Sequence, residues 1–102
     1  MEKEKDLAQY HNEIELQALE LWGGDEQLLI LLEEMGELTQ AIIKRMRGLE
    51  HNIAEEIADV EILLSQAKLF LDIGSDVYKW KNYKYERIKN LIAEKLVAED
   101  DK

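Results

Sequence analysis

A chain of 102 residues without a single proline has no position at which its backbone is barred from continuing a helix. The strong interruptions are five glycines, at 23, 24, 36, 48 and 74. Between them the sequence is rich in Leu, Ile, Glu, Lys and Ala, which lose little side-chain freedom in a helix. The sequence therefore predicts an all-α fold with no strands.

Apolar residues at helical spacing place four helices. The first runs from about Asp6 to Trp22 on a stripe of Leu7, Tyr10, Ile14, Ala18 and Leu21, and is stopped by Gly23 and Gly24. Asp25 reads as the N-cap of a second helix whose stripe is Leu28, Leu31, Leu32, Met35, Leu38 and Ile42, with Lys44, Arg45 and Arg47 at its C-terminus. Gly48 ends it. Asn52 and Glu55 have the spacing of a capping box, opening a third helix to about Asp72. Gly74 and Ser75 form the next joint, and a fourth helix from about Asp76 to Ala98 precedes an acidic tail, Glu99 to Asp101, expected to fray.

The length suits one domain, residues 1–102, and so small a chain leaves much of its surface exposed, which favours self-association. A net charge of -10 repels polyanions, so a nucleic-acid polymer is not an expected partner. There is no cysteine for disulfides or thiolate metal sites, no signal-like leader and no apolar run long enough for a membrane span. These features read as a cytoplasmic protein that does not engage membranes. Five of the thirteen basic residues lie between Lys79 and Lys89, while acids cluster at 33–37 and 55–61.

At about 100° per residue, Glu34 and Glu37 lie adjacent on the second helix, at the border of its apolar stripe. Ile30 and Ala41, a turn to either side, are also apolar, so that face is expected to be covered. On the third helix, Ile53, Ile57, Val60, Leu63, Leu64, Ala67 and Leu71 define the core arc; Glu56 falls inside it and Asp59 on its edge. If the two helices form an antiparallel hairpin, the midpoint between the acid pairs lies near residue 46 or 47, and the second helix must stop near Met46. The four acids then face one cleft at equal depth.

Carboxylates so placed cost several kcal/mol each, on the order of a partly desolvated ion, unless cations neutralise them. All-oxygen ligands with no His or Cys nearby select Mg²⁺, with Mn²⁺ as a substitute, and Mg²⁺ characteristically bridges to phosphates. On the fourth helix Lys81 and Lys84 fall within the apolar arc around Ile88, with Arg87 at its edge; they suit phosphate oxygens, or else snorkel over the core. His11 and His51 read as surface or capping residues, and Trp80 and the tyrosines as packing. The backs of Ile62 and Leu69 on the third helix call for a cover, most simply a second copy.

Glu33-Glu34-Met35-Gly36-Glu37, followed nineteen residues after Glu37 by Glu56-Ile57-Ala58-Asp59, resembles the EExxE and ExxD pair of the MazG-like all-α nucleoside triphosphate pyrophosphohydrolases. The resemblance covers roughly residues 25–72; the outer helices match in arrangement only. It implies a four-helix bundle-like MazG fold whose central antiparallel pair carries the acidic site, with Glu34, Glu37, Glu56 and Asp59 as ligands of a catalytic Mg²⁺. It also implies release of pyrophosphate and a monophosphate from nucleoside triphosphates, and a homodimer or homotetramer. Glu33, on the far side of the second helix, is expected to support a ligand from behind, and Gln27 and Trp22 to reach the substrate. The Asn and Arg pattern that some relatives carry on the fourth helix is not evident here.

Two other readings stand beside this one. A non-catalytic helical interaction protein would use paired acids and lysines to set helix register or partner choice, and would show no metal dependence. A phosphoribosyl-ATP pyrophosphohydrolase would share the acidic motif, but the rest of that enzyme's pattern is not seen.

Overall fold

The structure, a computed structural model, describes residues 6–100. These residues form four α-helices and no strand: α1 (Leu7–Trp22), α2 (Gly24–Met46), α3 (Ile53–Leu71) and α4 (Gly74–Asp100). None of the four is long and apolar enough to cross a membrane. Two compact units are distinguished, one ending at Leu71 and one beginning at Asp72.

Local chemistry explains each helix end. The carboxylate of Asp6 caps α1 by accepting from the Gln9 N–H at 2.8 Å. Gly23 is both the end of α1, donating to the Leu19 carbonyl at 2.9 Å, and the N-cap of α2. Asp25, expected as that cap, instead lies with Glu26 in the first turn of α2, where acidic side chains favour the positive end of the helix dipole. At the far end Gly48 takes φ +74 and donates to Arg45 while Leu49 donates to Lys44, the paired bonds of a Schellman turn. Helix α2 thus ends at Met46, as the hairpin register required.

Asn52 opens α3, but the reciprocal bond with Glu55 is not the one that forms. Its side-chain amide donates to Glu56 Oε1 at 2.7 Å, and the His51 ring takes the capping role by accepting from the Ile53 N–H. Asp72, at φ 54, ends α3. Gly74 and Ser75 lie inside α4 rather than in the joint before it, because Ile73 already accepts the first helical bond, from Val77. Glu99 continues the helix, and Asp101 lies outside the described residues.

In the first unit α2 and α3 form the principal pair, and α1 packs on both. The pair closes around Leu31, Val60 and Leu63, with Leu38 and Ala67 beside them. Its buried positions on α2 are Gly24, Gln27, Leu31 and Ala41, with Glu34 and Leu38 partly buried between them. This is an alternating three- and four-residue spacing, the seam of a tightly packed helix pair. The seam is rotated from the expected stripes. Leu32, Met35 and Ile42 on α2, Ile57, Leu64 and Leu71 on α3, and Leu7, Tyr10, Ile14 and Leu21 on α1 are exposed, while α1 buries Glu15. In the second unit α4 buries no residue.

Gly24 shows why the seam needs a small residue at this level. A methyl group there would collide with the ring of Phe70, whereas one at Gly36 would meet nothing. Gly24→Ala is therefore expected to destabilise, since overpacking at about 1–3 kcal/mol outweighs a helix-propensity gain of at most about 1 kcal/mol. Gly36→Ala should gain stability by that propensity alone. Urea midpoints of the two variants should move in opposite directions.

Candidate metal centre

The α2–α3 seam carries three carboxylates into one place. Glu34, Glu56 and Asp59 each offer an oxygen, and these oxygens all lie within 4.8 Å of one another. Glu56 is buried, at 6 % exposure, and Glu34 and Asp59 are partly buried. The helices bring them together for a simple reason. Seam positions alternate by three and four residues, and Glu34 follows Leu31 while Glu56 and Asp59 precede Val60 and Leu63 on the same side of α3.

The two oxygens of Glu56 have different fates. Oε1 accepts from Asn52, which fixes the carboxylate plane, while Oε2 is buried without a hydrogen-bond partner. Glu34 Oε2 is likewise buried and unpartnered. Buried polar atoms are nearly always satisfied, and an unpaired one costs about 1–3 kcal/mol, more when charged. Two unpartnered carboxylate oxygens beside a third acid form a donor set that could hold a cation, and hard oxygen donors suit Mg²⁺ or Mn²⁺. The residues present fit such an ion.

The electrostatics point the same way. The Glu34 carboxyl is pushed up to about 7 from an ordinary 4.5, first by desolvation, then by the neighbouring acids Glu37, Asp59 and Glu56. A divalent cation and a trapped proton are alternative answers to one excess of negative charge.

Of the residues singled out from sequence, Glu34, Glu56 and Asp59 converge. Glu37 is exposed and stands outside the close trio, though its charge reaches Glu34. Glu33 is exposed and outside the cluster. Gln27 and Trp22 line an open pocket with Glu26 and Ile30. In the second unit Lys81 and Lys84 share a groove with Val77, Trp80, Tyr85 and Ile88, and the Lys84 ammonium lies 5.9 Å from the Trp80 ring centroid. They follow the apolar side of α4 but are exposed, not core-facing. Arg87 lines a different groove, with Tyr83, Asn90 and Leu91.

No protein-family model, curated protein or solved structure matches this chain. The chemistry of the site itself therefore carries the functional reading.

Three further polar residues of the first unit are not marked as site residues by the sequence. Asn52 was read only as a helix cap, yet it orients Glu56. Gln66 is 5 % exposed with its Oε1 unpartnered, and Glu15, also buried, accepts from the Ser65 hydroxyl at 2.7 Å. A seam register of three and four residues, extended from Glu56 and Asp59, reaches Gln66; no such cue marks the Glu15–Ser65 pair.

The raised Glu34 group sets a pH dependence with a definite sign. Between pH 4.5 and about 7 the folded chain retains a proton that the unfolded chain has released, so the stability of the metal-free protein falls as pH rises through that window. Thermal midpoints in a chelating buffer should decline from pH 4.5 to 7, and Glu34→Gln should flatten this decline. Substituting Asn52 by Ala should weaken Mg²⁺ binding by about ten- to a hundred-fold, the usual cost of losing a group that orients a metal ligand, as read by calorimetric titration.

Proposed function

We propose that this chain is a Mg²⁺-dependent nucleoside triphosphate pyrophosphohydrolase of the MazG-like type. The observation that carries the reading is the convergence of Glu34, Glu56 and Asp59, with two buried, unpartnered oxygens, on the residues of the EExxE and ExxD motifs. The four-helix MazG-like arrangement and a homo-oligomeric state belong to the same proposal.

In this reading Glu34, Glu56 and Asp59 hold the cation, and Glu37 adds negative charge beside it. Asn52 donates to Glu56 Oε1 and fixes the carboxylate plane, which leaves Oε2 for the cation. Mg²⁺, when bound, supplies charge neutralisation at phosphoryl oxygens and a lowered pKa for coordinated water. The overall reaction consumes one water and releases a nucleoside monophosphate and pyrophosphate. The partial burial of the acids lowers the local screening and strengthens each electrostatic contact with the polyphosphate relative to a fully solvated surface.

Self-association is supported by the apolar side chains turned outward. Leu32, Met35 and Ile42 on α2 and Ile57, Leu64 and Leu71 on α3 are all more than two-fifths exposed. Apolar side chains left in water favour association, and a second copy is the cover proposed here. The same exposed stripes favour the non-catalytic interaction protein as a second reading, which differs in needing no metal.

Glu56→Gln separates the two. It removes a charged oxygen donor from the cluster while keeping the side chain's size, so Mg²⁺-dependent pyrophosphate release from nucleoside triphosphates should be abolished with helicity intact by circular dichroism. Turnover equal to that of the unsubstituted protein, or none from the unsubstituted protein with any triphosphate and Mg²⁺, would remove the hydrolase reading.

A further inference from the structure

Helix α4 buries no residue, yet its sequence is patterned for packing. Positions 77, 81, 84, 88, 91 and 95 recur at alternating steps of four and three residues and fall on one stripe. The stripe reads Val77, Lys81, Lys84, Ile88, Leu91 and Lys95, so half of its positions are lysine. Lysines along the middle of an apolar stripe call for a partner that is apolar and acidic together. Lys89 reaches Glu86 elsewhere on the helix, at 4.0 Å, but among the described residues no acid lies within ion-pair distance of the three stripe lysines.

Helix α1 carries the complementary pattern. Leu7, Tyr10, Ile14 and Leu21 are exposed and recur at heptad spacing. Asp6, Glu13 and Glu20, seven residues apart, immediately precede Leu7, Ile14 and Leu21 and form an acidic edge beside that stripe. From Asp6 to Trp22 there is no lysine or arginine, whereas from Lys79 to Lys95 six basic residues stand against two acidic ones. The stripes also match in length, since Leu7 to Leu21 and Lys81 to Lys95 each cover fourteen residue steps, about 21 Å.

We propose that the apolar and basic stripe of α4 docks on the apolar and acidic stripe of α1 in a second copy of this chain. The pairing stands apart from the hydrolase reading and uses neither outward stripe of α2 and α3. Each copy supplies one α1 and one α4, so a two-fold pair satisfies both stripes of both chains. A second α4 in place of α1 would set lysine against lysine. An anionic lipid surface suits lysines at the borders of an apolar face, from which they snorkel, and not along its middle.

The test is sedimentation of the full chain in about 50 mM and about 500 mM NaCl, with association expected in the first and weakened in the second as screening shortens the reach of the charges. Lys81→Glu with Lys84→Glu, and separately Glu13→Lys with Glu20→Lys, should each weaken association at least about ten-fold, because like charges then line both sides of the contact. Mixing the two variants should restore it, since each presents the charge that the other lacks. Glu20→Lys and Lys84→Glu singly take their place if a double variant loses its helicity by circular dichroism.

A chain that stays monomeric in both salts, or association untouched by salt, overturns the pairing. Variants that associate as tightly as the unsubstituted protein overturn it and leave association to the outward faces of α2 and α3. Weakened variants that fail to recover on mixing overturn it too, because the charges then act within one chain. Monomeric protein that cosediments with phosphatidylglycerol vesicles assigns α4 to an anionic lipid surface instead. None of these outcomes depends on pyrophosphate release.

Discussion

Three carboxylates share the seam of a helix pair whose neighbouring positions are Leu31, Val60 and Leu63. In an ordinary helical hairpin those positions would be apolar, because removing ionised oxygens from water costs far more than their mutual arrangement returns. The chain instead places Glu56 at 6 % exposure, ties one of its oxygens to Asn52, and leaves the other beside Glu34 and Asp59. Excess negative charge held in this way has two outlets, a proton retained by Glu34 or a cation, and the rest of the site follows from that choice.

The cost falls on a small core. Within the first unit the buried apolar side chains are few, and the stripes that look most core-like in the sequence point outward. Polar residues take seam positions at several levels, from Glu56 and Glu34 to Gln27 and Gln66, with Glu15 and Ser65 bonded between α1 and α3. A hairpin that devotes its inner surface to polar groups must find apolar contact elsewhere. This gives the outward faces of α2 and α3 a physical reason to exist.

Much of the candidate site was legible before the fold. Helical spacing alone puts Glu34 beside Glu37 and Glu56 beside Asp59, and the hairpin register correctly ends α2 at Met46. The separation of Glu37 from the close trio was not legible. A shift of a few tens of degrees in the seam decides which of two adjacent acids turns inward, and the apolar stripe of α2 is too broad to fix that rotation. Leu32, Met35 and Ile42 pulled the expected centre one way, while Gly24, Gln27 and Ala41, less apolar by type, are what α3 packs against. The ring of Phe70 over Gly24 shows why: a small residue on one helix admits a large one from the other, a match no single helix reveals.

The sequence by itself determined that the chain is helical, the number of helices and their approximate limits, and which acids lie on common faces, because proline content, glycine positions and the 3.6-residue repeat are local properties. Only the tertiary structure decided the rotation of α2 against α3. With that rotation came the identity of the three converging carboxylates, the bond that recruits Asn52 to Glu56, and the burial of Gln27 and Gln66. These depend on side-chain size and fit across two helices, and the packing of a pair is a property that neither strand of sequence holds alone.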